Sequence, residues 1–130
     1  MRKVSIKTAR GKADQAMSIY IRTKYAVDGY CTCVTCGAVK PISETDAGHF
    51  IPKSRGASVR YVEENCHPQC QSCNRFGAQY AQIAYTQWME ETYGKGKIEE
   101  LKDLSRELVR YRISDYKAFE AHYNDKLGEL

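Results

Sequence analysis

Two short spacings carry the strongest chemical signal in the sequence: Cys33-Val34-Thr35-Cys36, followed by Gly37, and Cys70-Gln71-Ser72-Cys73. A CxxC turn brings both sulfurs to one side, so each pair can present two thiolates to one ion. Four thiolates, Cys33, Cys36, Cys70 and Cys73, in a tetrahedron make a closed structural zinc site. Residues 37–69 separate the pairs, more than the usual zinc-ribbon spacing. Something of size is therefore inserted between the knuckles, and any catalysis must come from that insertion. Cys31 and Cys66 are left over; Cys31 is too far from Cys36 for a CxxC turn, and both read as small buried residues.

The insertion contains Asp46-Ala47-Gly48-His49-Phe50, then Arg60, Glu64-Asn65 and Cys66-His67-Pro68-Gln69, and the second knuckle ends in Cys73-Asn74. This order resembles the HNH nucleases, in which a ββα hairpin and helix holds one divalent metal. Within that class, the runs Asp46–Phe50 and Arg60–Asn74, with the preceding Lys12-Ala13-Asp14 and Tyr20-Ile21-Arg22, resemble the phage recombination proteins of the NinG/Rap family. The resemblance covers roughly residues 10–80. It implies phosphodiester hydrolysis. A histidine is the natural base for deprotonating water near neutral pH, and a divalent cation stabilises the pentavalent phosphate and the departing oxygen.

On that resemblance His49 is the candidate base, and Asn65 is expected to hold its ring through a side-chain carbonyl. The residue just before the base, a metal ligand in many HNH proteins, is Gly48 here. Residues 46 and 48 of a strand point to the same face, so Asp46 can present a carboxylate in its stead. Asn74 matches the Cys-Asn position that serves as a metal ligand in phage junction-resolving nucleases. Oxygen ligands from Asp46 and Asn74 suit Mg²⁺ or Mn²⁺. Both residues also have structural readings, Asp46 as a turn or cap and Asn74 as a helix N-cap. Lys53, Arg55, Arg60 and Arg75 are candidates for gripping phosphates of DNA, or are ordinary solvated charge. His67 is read as structural or phosphate-contacting, and His122 as having no catalytic part.

These residues need elements to hold them. The 130 residues suit one domain, 1–130, with an N-terminal helix in 1–29, a zinc and HNH core in 30–78 and C-terminal helices in 79–130. Ala13, Ala16, Met17, Tyr20 and Ile21 form one stripe of a helix over 12–25. Short strands are expected around Ala38–Ile42, Ala47–Ile51 and Ser58–Val62. Beyond Asn74, helical faces follow at Tyr80, Ile83, Ala84 and Trp88, at Ile98, Leu101, Leu104 and Leu108, and at Tyr116, Phe119, Tyr123 and Leu127, the last capped by Ser114 or Asp115. The expected fold is α+β: a zinc-stabilised ββα-metal core between an N-terminal helix and a C-terminal helical region.

Composition sets the remaining bounds. Hydrophobic residues make up 42% and charged residues 28%, as in globular proteins. No apolar run approaches the ~20 residues of a membrane span, and no signal peptide is visible, so a reducing cytoplasmic setting is expected and metal binding explains the cysteines better than disulfides. Residues 1–60 carry 11 Lys/Arg against 4 Asp/Glu, whereas residues 61–130 carry 9 against 12. The basic half could face DNA or only water. The ten tyrosines could be core or base-stacking groups.

The expected function is therefore a divalent-metal-dependent DNA endonuclease with structural zinc and catalytic Mg²⁺ or Mn²⁺. The family resemblance implies branched recombination intermediates, D-loops or Holliday junctions, as substrates. A homodimer would suit a junction with two strands to cut. The rival readings are a less selective HNH nicking or restriction nuclease and a non-catalytic zinc module that only binds DNA or protein.

Overall fold

A computed structural model describes residues 4–130. Its first helix, α1 (Ile6–Tyr25), starts where Ser5 Oγ accepts the Thr8 N–H at 3.1 Å, an N-cap bond that satisfies one orphan donor. The helix begins six residues before the expected Lys12, because Ala9 adds one more turn to the buried stripe of Ala13, Ala16, Met17, Tyr20 and Ile21.

Two antiparallel hairpins follow. Strands β1 (Tyr30–Thr32) and β2 (Val39–Pro41) pair with Cys31 opposite Lys40, and the first CxxC forms the loop between them. Strands β3 (Thr45–His49) and β4 (Cys66–Cys70) pair with Asp46 opposite Gln69, Gly48 opposite His67 and His49 opposite Cys66. Helix α2 (Gln71–Phe76) leaves directly from β4, followed by α3 (Ala78–Tyr93), α4 (Lys95–Ser105) and α5 (Ile113–Gly128). The architecture is a mixed α+β arrangement of five helices and two small sheets.

Several elements differ from expectation. Ser58–Val62 is not a strand: the chain coils through a 3-10 turn at Ala57–Val59, held by local bonds such as Val59 N to Gly56 O and Val62 N to Val59 O. The true partner of β3 is Cys66–Cys70, all five residues of which are buried. Burial on both faces erases the alternation that marks a half-exposed strand. Pro68 is tolerated because β4 pairs on one side only; its carbonyl turns outward and accepts the Val34 N–H.

On α3 the buried face is Ala81, Tyr85 and Met89, while Tyr80 and Ile83 are 70% and 55% exposed. The inner face is set by Tyr85, whose hydroxyl donates to the Gly48 carbonyl at 2.8 Å. Leu108 lies beyond the end of α4 and is fully exposed. Neither Ser114 nor Asp115 is the N-cap of α5. Arg112 occupies that position, and Asp115 at N3 returns its carboxylate to the Arg112 N–H at 2.7 Å.

The core has two clusters. One joins α1 to α5, with Tyr61 and Cys66 between them; Tyr116, Phe119, Tyr123 and Leu127 pack inward here. The other gathers Phe50, Val59, Tyr85, Met89, Ile98 and Leu101, so α3 and α4 clamp the loop that follows β3. Five of the ten tyrosines, Tyr20, Tyr61, Tyr85, Tyr116 and Tyr123, are core residues. Among the described residues no helix is long and apolar enough to cross a membrane.

Candidate functional site

The four cysteines of the CxxC pairs meet, with all their Sγ atoms within 4.8 Å of one another. Cys36 Sγ and Cys70 Sγ are 3.7 Å apart. Sulfurs at ~2.3 Å from a tetrahedral zinc lie ~3.8 Å apart, so the donor set fits a metal such as zinc in both chemistry and spacing. The first knuckle turns at Gly37, whose φ of +78 suits glycine and whose N–H reaches Cys33 O at 2.9 Å. The second is the start of α2, where Cys70 Sγ accepts the Cys73 N–H. Burial pushes the Cys33 thiol up, but the Thr35 hydroxyl and the N–H groups of Cys36, Cys70 and Thr35 outweigh it and bring the group down to about 6. Cys31 and Cys66 stand apart from the cluster and are both buried, Cys31 with its thiol on the Arg22 carbonyl.

His49 is the last residue of β3. Its Nε2 lies 2.8 Å from the Arg60 carbonyl. A carbonyl can only accept, so Nε2 carries the proton and Nδ1 keeps its lone pair. Desolvation lowers the imidazole to about 4, with Lys53 and Arg60 adding to the effect. His49 is thus neutral at pH 7 and able to accept a proton. The expected contact with Asn65 is absent. The Asn65 side chain, fully buried, accepts the Ile51 N–H at 2.9 Å and donates to the Ile51 and Val59 carbonyls. Asn65 therefore staples the loop after β3, and the loop in turn delivers Arg60 O to His49.

Asp46 and Asn74 come together as expected of them. Asn74 Nδ2 donates to Asp46 Oδ2 at 2.9 Å, across β3 and α2. Arg75 binds the same carboxylate through Nε and Nη2 at 3.0 and 3.1 Å. Burial raises the Asp46 carboxyl, yet the Arg75 and Asn74 bonds win and hold it below the usual range. Asn74 lies inside α2, so it is not that helix's N-cap, which is Cys70. A cleft of about 470 Å³ is lined by Asp46, His49, Lys53, Asn74, Arg75 and Asp14. A second, of about 280 Å³, shares Ala47, His49, Lys53 and Asn74 with the first and reaches Gln69 and Gln82.

The basic residues divide. Lys53 and Arg55 are exposed and have no ion-pair partner among the described residues; Lys53 borders both clefts. Arg75 is half-exposed on Asp46. Arg60 is committed to Asp14, with Nε to Oδ1 at 2.9 Å and Nη2 to Oδ2 at 2.5 Å. Tyr61 adds its hydroxyl to the same carboxylate. His67 is sealed inside the protein, which removes phosphate contact and leaves the structural reading. It bridges Tyr85 Oη at Nδ1 and Tyr93 Oη at Nε2, at 2.9 and 2.8 Å. His122 lies on α5 beside Tyr123.

Two residues of the site escape sequence reasoning. Asp14 stands in the Lys12-Ala13-Asp14 run of the family resemblance, but nothing in its helix marks it as the partner of Arg60. Gln69 stands in the Arg60–Asn74 run of the resemblance with no role marked for it, on a strand that lacks alternation.

Comparison with known proteins adds a family. The family model described as "Bacteriophage Lambda NinG protein" matches residues 1–130. The chain is 28% identical over 119 residues to Protein ninG of Salmonella phage P22 and to that of Escherichia phage lambda. It is 26% identical over the same length to that of Escherichia phage 933W. Each alignment covers 92% of this chain and 55–56% of the relative, so the chain spans about half the length of the curated relatives it matches. No solved structure matches it.

Proposed function

The chain belongs to the NinG family, and on that footing we propose that it is a divalent-metal-dependent DNA endonuclease of the HNH type, acting on branched recombination intermediates. One observation carries the reading: a neutral histidine, oriented by a backbone carbonyl, opens beside a paired carboxylate and amide in a cleft bordered by Lys53. The order β3–β4–α2 is also the order of a ββα-metal unit.

In this mechanism His49 takes the proton of the attacking water at Nδ1, while its Nε2–H stays on Arg60 O. Asp46 and Asn74 are the oxygen donors for the cation. Mg²⁺ or Mn²⁺ bound there supplies charge for the phosphate and the leaving oxygen. A cation held by Asp46 would have to displace the Arg75 guanidinium that pairs with it here, a side chain that is half-exposed and free to be released. Lys53 and Arg55 hold the flanking phosphates. The four-cysteine cluster anchors the hairpins and takes no part in the chemistry.

The test is to incubate the purified chain with Mg²⁺ or Mn²⁺ and labelled linear, nicked and four-way DNA. Preferential cutting of four-way DNA, lost by ~10²–10⁴-fold in His49→Ala, is the expected outcome. Indifferent cutting would mean a less selective nuclease. Absence of metal-dependent cutting, with DNA binding intact, would mean a non-catalytic module.

A further inference from the structure

Gly48 leaves a gap beside the candidate base, and the opposite strand fills it. A Cβ placed on Gly48 would lie 1.7 Å from Gln69 Oε1, 2.6 Å from Cδ and 2.9 Å from Cγ. The Gln69 amide thus rests where a side chain at position 48 would begin. Gln69 is also the cross-strand partner of Asp46, so the two side chains leave the same face of the sheet, with Cβ atoms ~5 Å apart.

The amide is otherwise unemployed. Gln69 is 4% exposed, and a buried amide, with two donors and an acceptor, ordinarily finds partners. That of Gln69 makes no hydrogen bond to a described residue. Yet among the described residues no side-chain nitrogen or oxygen sealed from solvent lacks a partner. The amide therefore faces the opening left to it, the cleft of about 280 Å³ that it lines with His49, Lys53 and Asn74.

We infer that Gln69 Oε1 is a third protein ligand of the divalent cation, with Asp46 and Asn74, in place of the side chain missing at Gly48. This rests on the reading of the cleft as a metal-dependent site. One carboxylate and two neutral amide oxygens make a hard, weakly charged donor set, suited to a Mg²⁺ or Mn²⁺ ion that keeps several waters.

The experiment is a Mn²⁺ titration of the zinc-loaded full chain without DNA, followed by electron paramagnetic resonance. Zinc content and circular dichroism report on folding. The parental chain is expected to bind one Mn²⁺. Gln69→Ala is expected to weaken binding roughly 10–100-fold, and Gln69→Glu to tighten it by adding charge. Gly48→Asp combined with Gln69→Ala is expected to regain affinity, because the new carboxylate enters the vacated space and Gly48 has no left-handed backbone to forbid it. Unchanged affinity in Gln69→Ala, no tightening in Gln69→Glu, or no recovery in the double variant would each overturn the assignment. If the parental chain cleaves with Mn²⁺ while Gln69→Ala binds it normally, the nuclease reading stands and the Gln69 ligand falls. If the parental chain neither binds Mn²⁺ nor cleaves, both fall.

Discussion

The Arg60 carbonyl accepts from His49 Nε2 at 2.8 Å, while the guanidinium of the same residue is gripped at two nitrogens by Asp14 of α1. The orientation of His49 is thus tied to α1 through the Asp14–Arg60 pair. Burial raises the Asp14 carboxyl, but hydrogen bonds from Arg60 and Tyr61 prevail and keep it below its ordinary value.

Asp14→Asn should expose this linkage. It leaves the Arg60 charge half-buried without its partner, at a cost of ~1.5–3 kcal/mol. Cleavage should fall ~10–100-fold from the displaced His49, with Mn²⁺ affinity unchanged. Thermal melting, metal titration and single-turnover cleavage separate the three. Parental cleavage in a folded Asp14→Asn chain would break the link.

Asn65→Ala and His49→Ala should differ in kind. Asn65→Ala strands the Ile51 N–H and two carbonyls in the interior, a loss of ~2–4 kcal/mol, visible as a lower denaturation midpoint. His49→Ala should hold its midpoint much better while losing cleavage. Equal stability of the two variants would return Asn65 to a role in the chemistry.

Cys33→Ser should lose zinc and much of the folded signal, because metal-binding energy is folding energy in such sites. Cys31→Ser should keep one zinc per chain. Elemental analysis after gel filtration gives the answer directly, and zinc loss from Cys31→Ser would redraw the cluster.

Lys53→Ala with Arg55→Ala should weaken DNA binding and flatten its salt dependence. On duplex DNA the log–log slope falls by ~0.9 for each phosphate that the protein no longer neutralises. Arg60→Ala should act mainly on stability, since its guanidinium already belongs to Asp14. A salt slope that moves with Arg60 and not with Lys53 and Arg55 would place the DNA on the other side of the cleft.

Acid should destabilise the protein through His67. Burial pushes this imidazole down to about 3, against an ordinary value near 6.5. The unfolded chain binds a proton below about pH 6.5 and the folded chain does not, so stability falls as pH drops from there toward 3. The slope approaches ~1.4 kcal/mol per pH unit. Urea midpoints between pH 7 and 5 should fall more steeply for the parental chain than for His67→Gln, which cannot take up the proton. Parallel slopes would contradict this.

The four zinc-type cysteines, α1 and the α5 stripe were legible because each has a local signature, a turn spacing or a 3.6-residue period. Asp46 follows from the even spacing of a strand and Asn74 from the resemblance to junction-resolving nucleases; their hydrogen bond joins the two. What escaped was decided by contacts distant in sequence. The His49–Arg60 bond uses a backbone carbonyl, which any residue offers, so its type carries no trace of the role. The strand Cys66–Cys70 has no alternation because both its faces are covered. The inner face of α3 turns on one hydroxyl, that of Tyr85, reaching Gly48, and a periodicity count weighs Tyr80 and Tyr85 alike.

The packing of α1 on α5 also sets an order of events during synthesis. Tyr20 meets Tyr123, with ring centroids 5.6 Å apart, and Tyr61 gives its carbonyl to the Tyr123 hydroxyl. The apolar stripe of α1 thus has its cover in α5, far later in the chain. Until residues 113–128 emerge, Met17, Tyr20 and Ile21 lack that cover, and the nascent chain carries a sticky helix in the meantime. Contacts of such long sequence separation also close slowly once the chain is free. A stop codon ahead of Ile113 would spare every residue of the cleft and still yield a chain prone to aggregate.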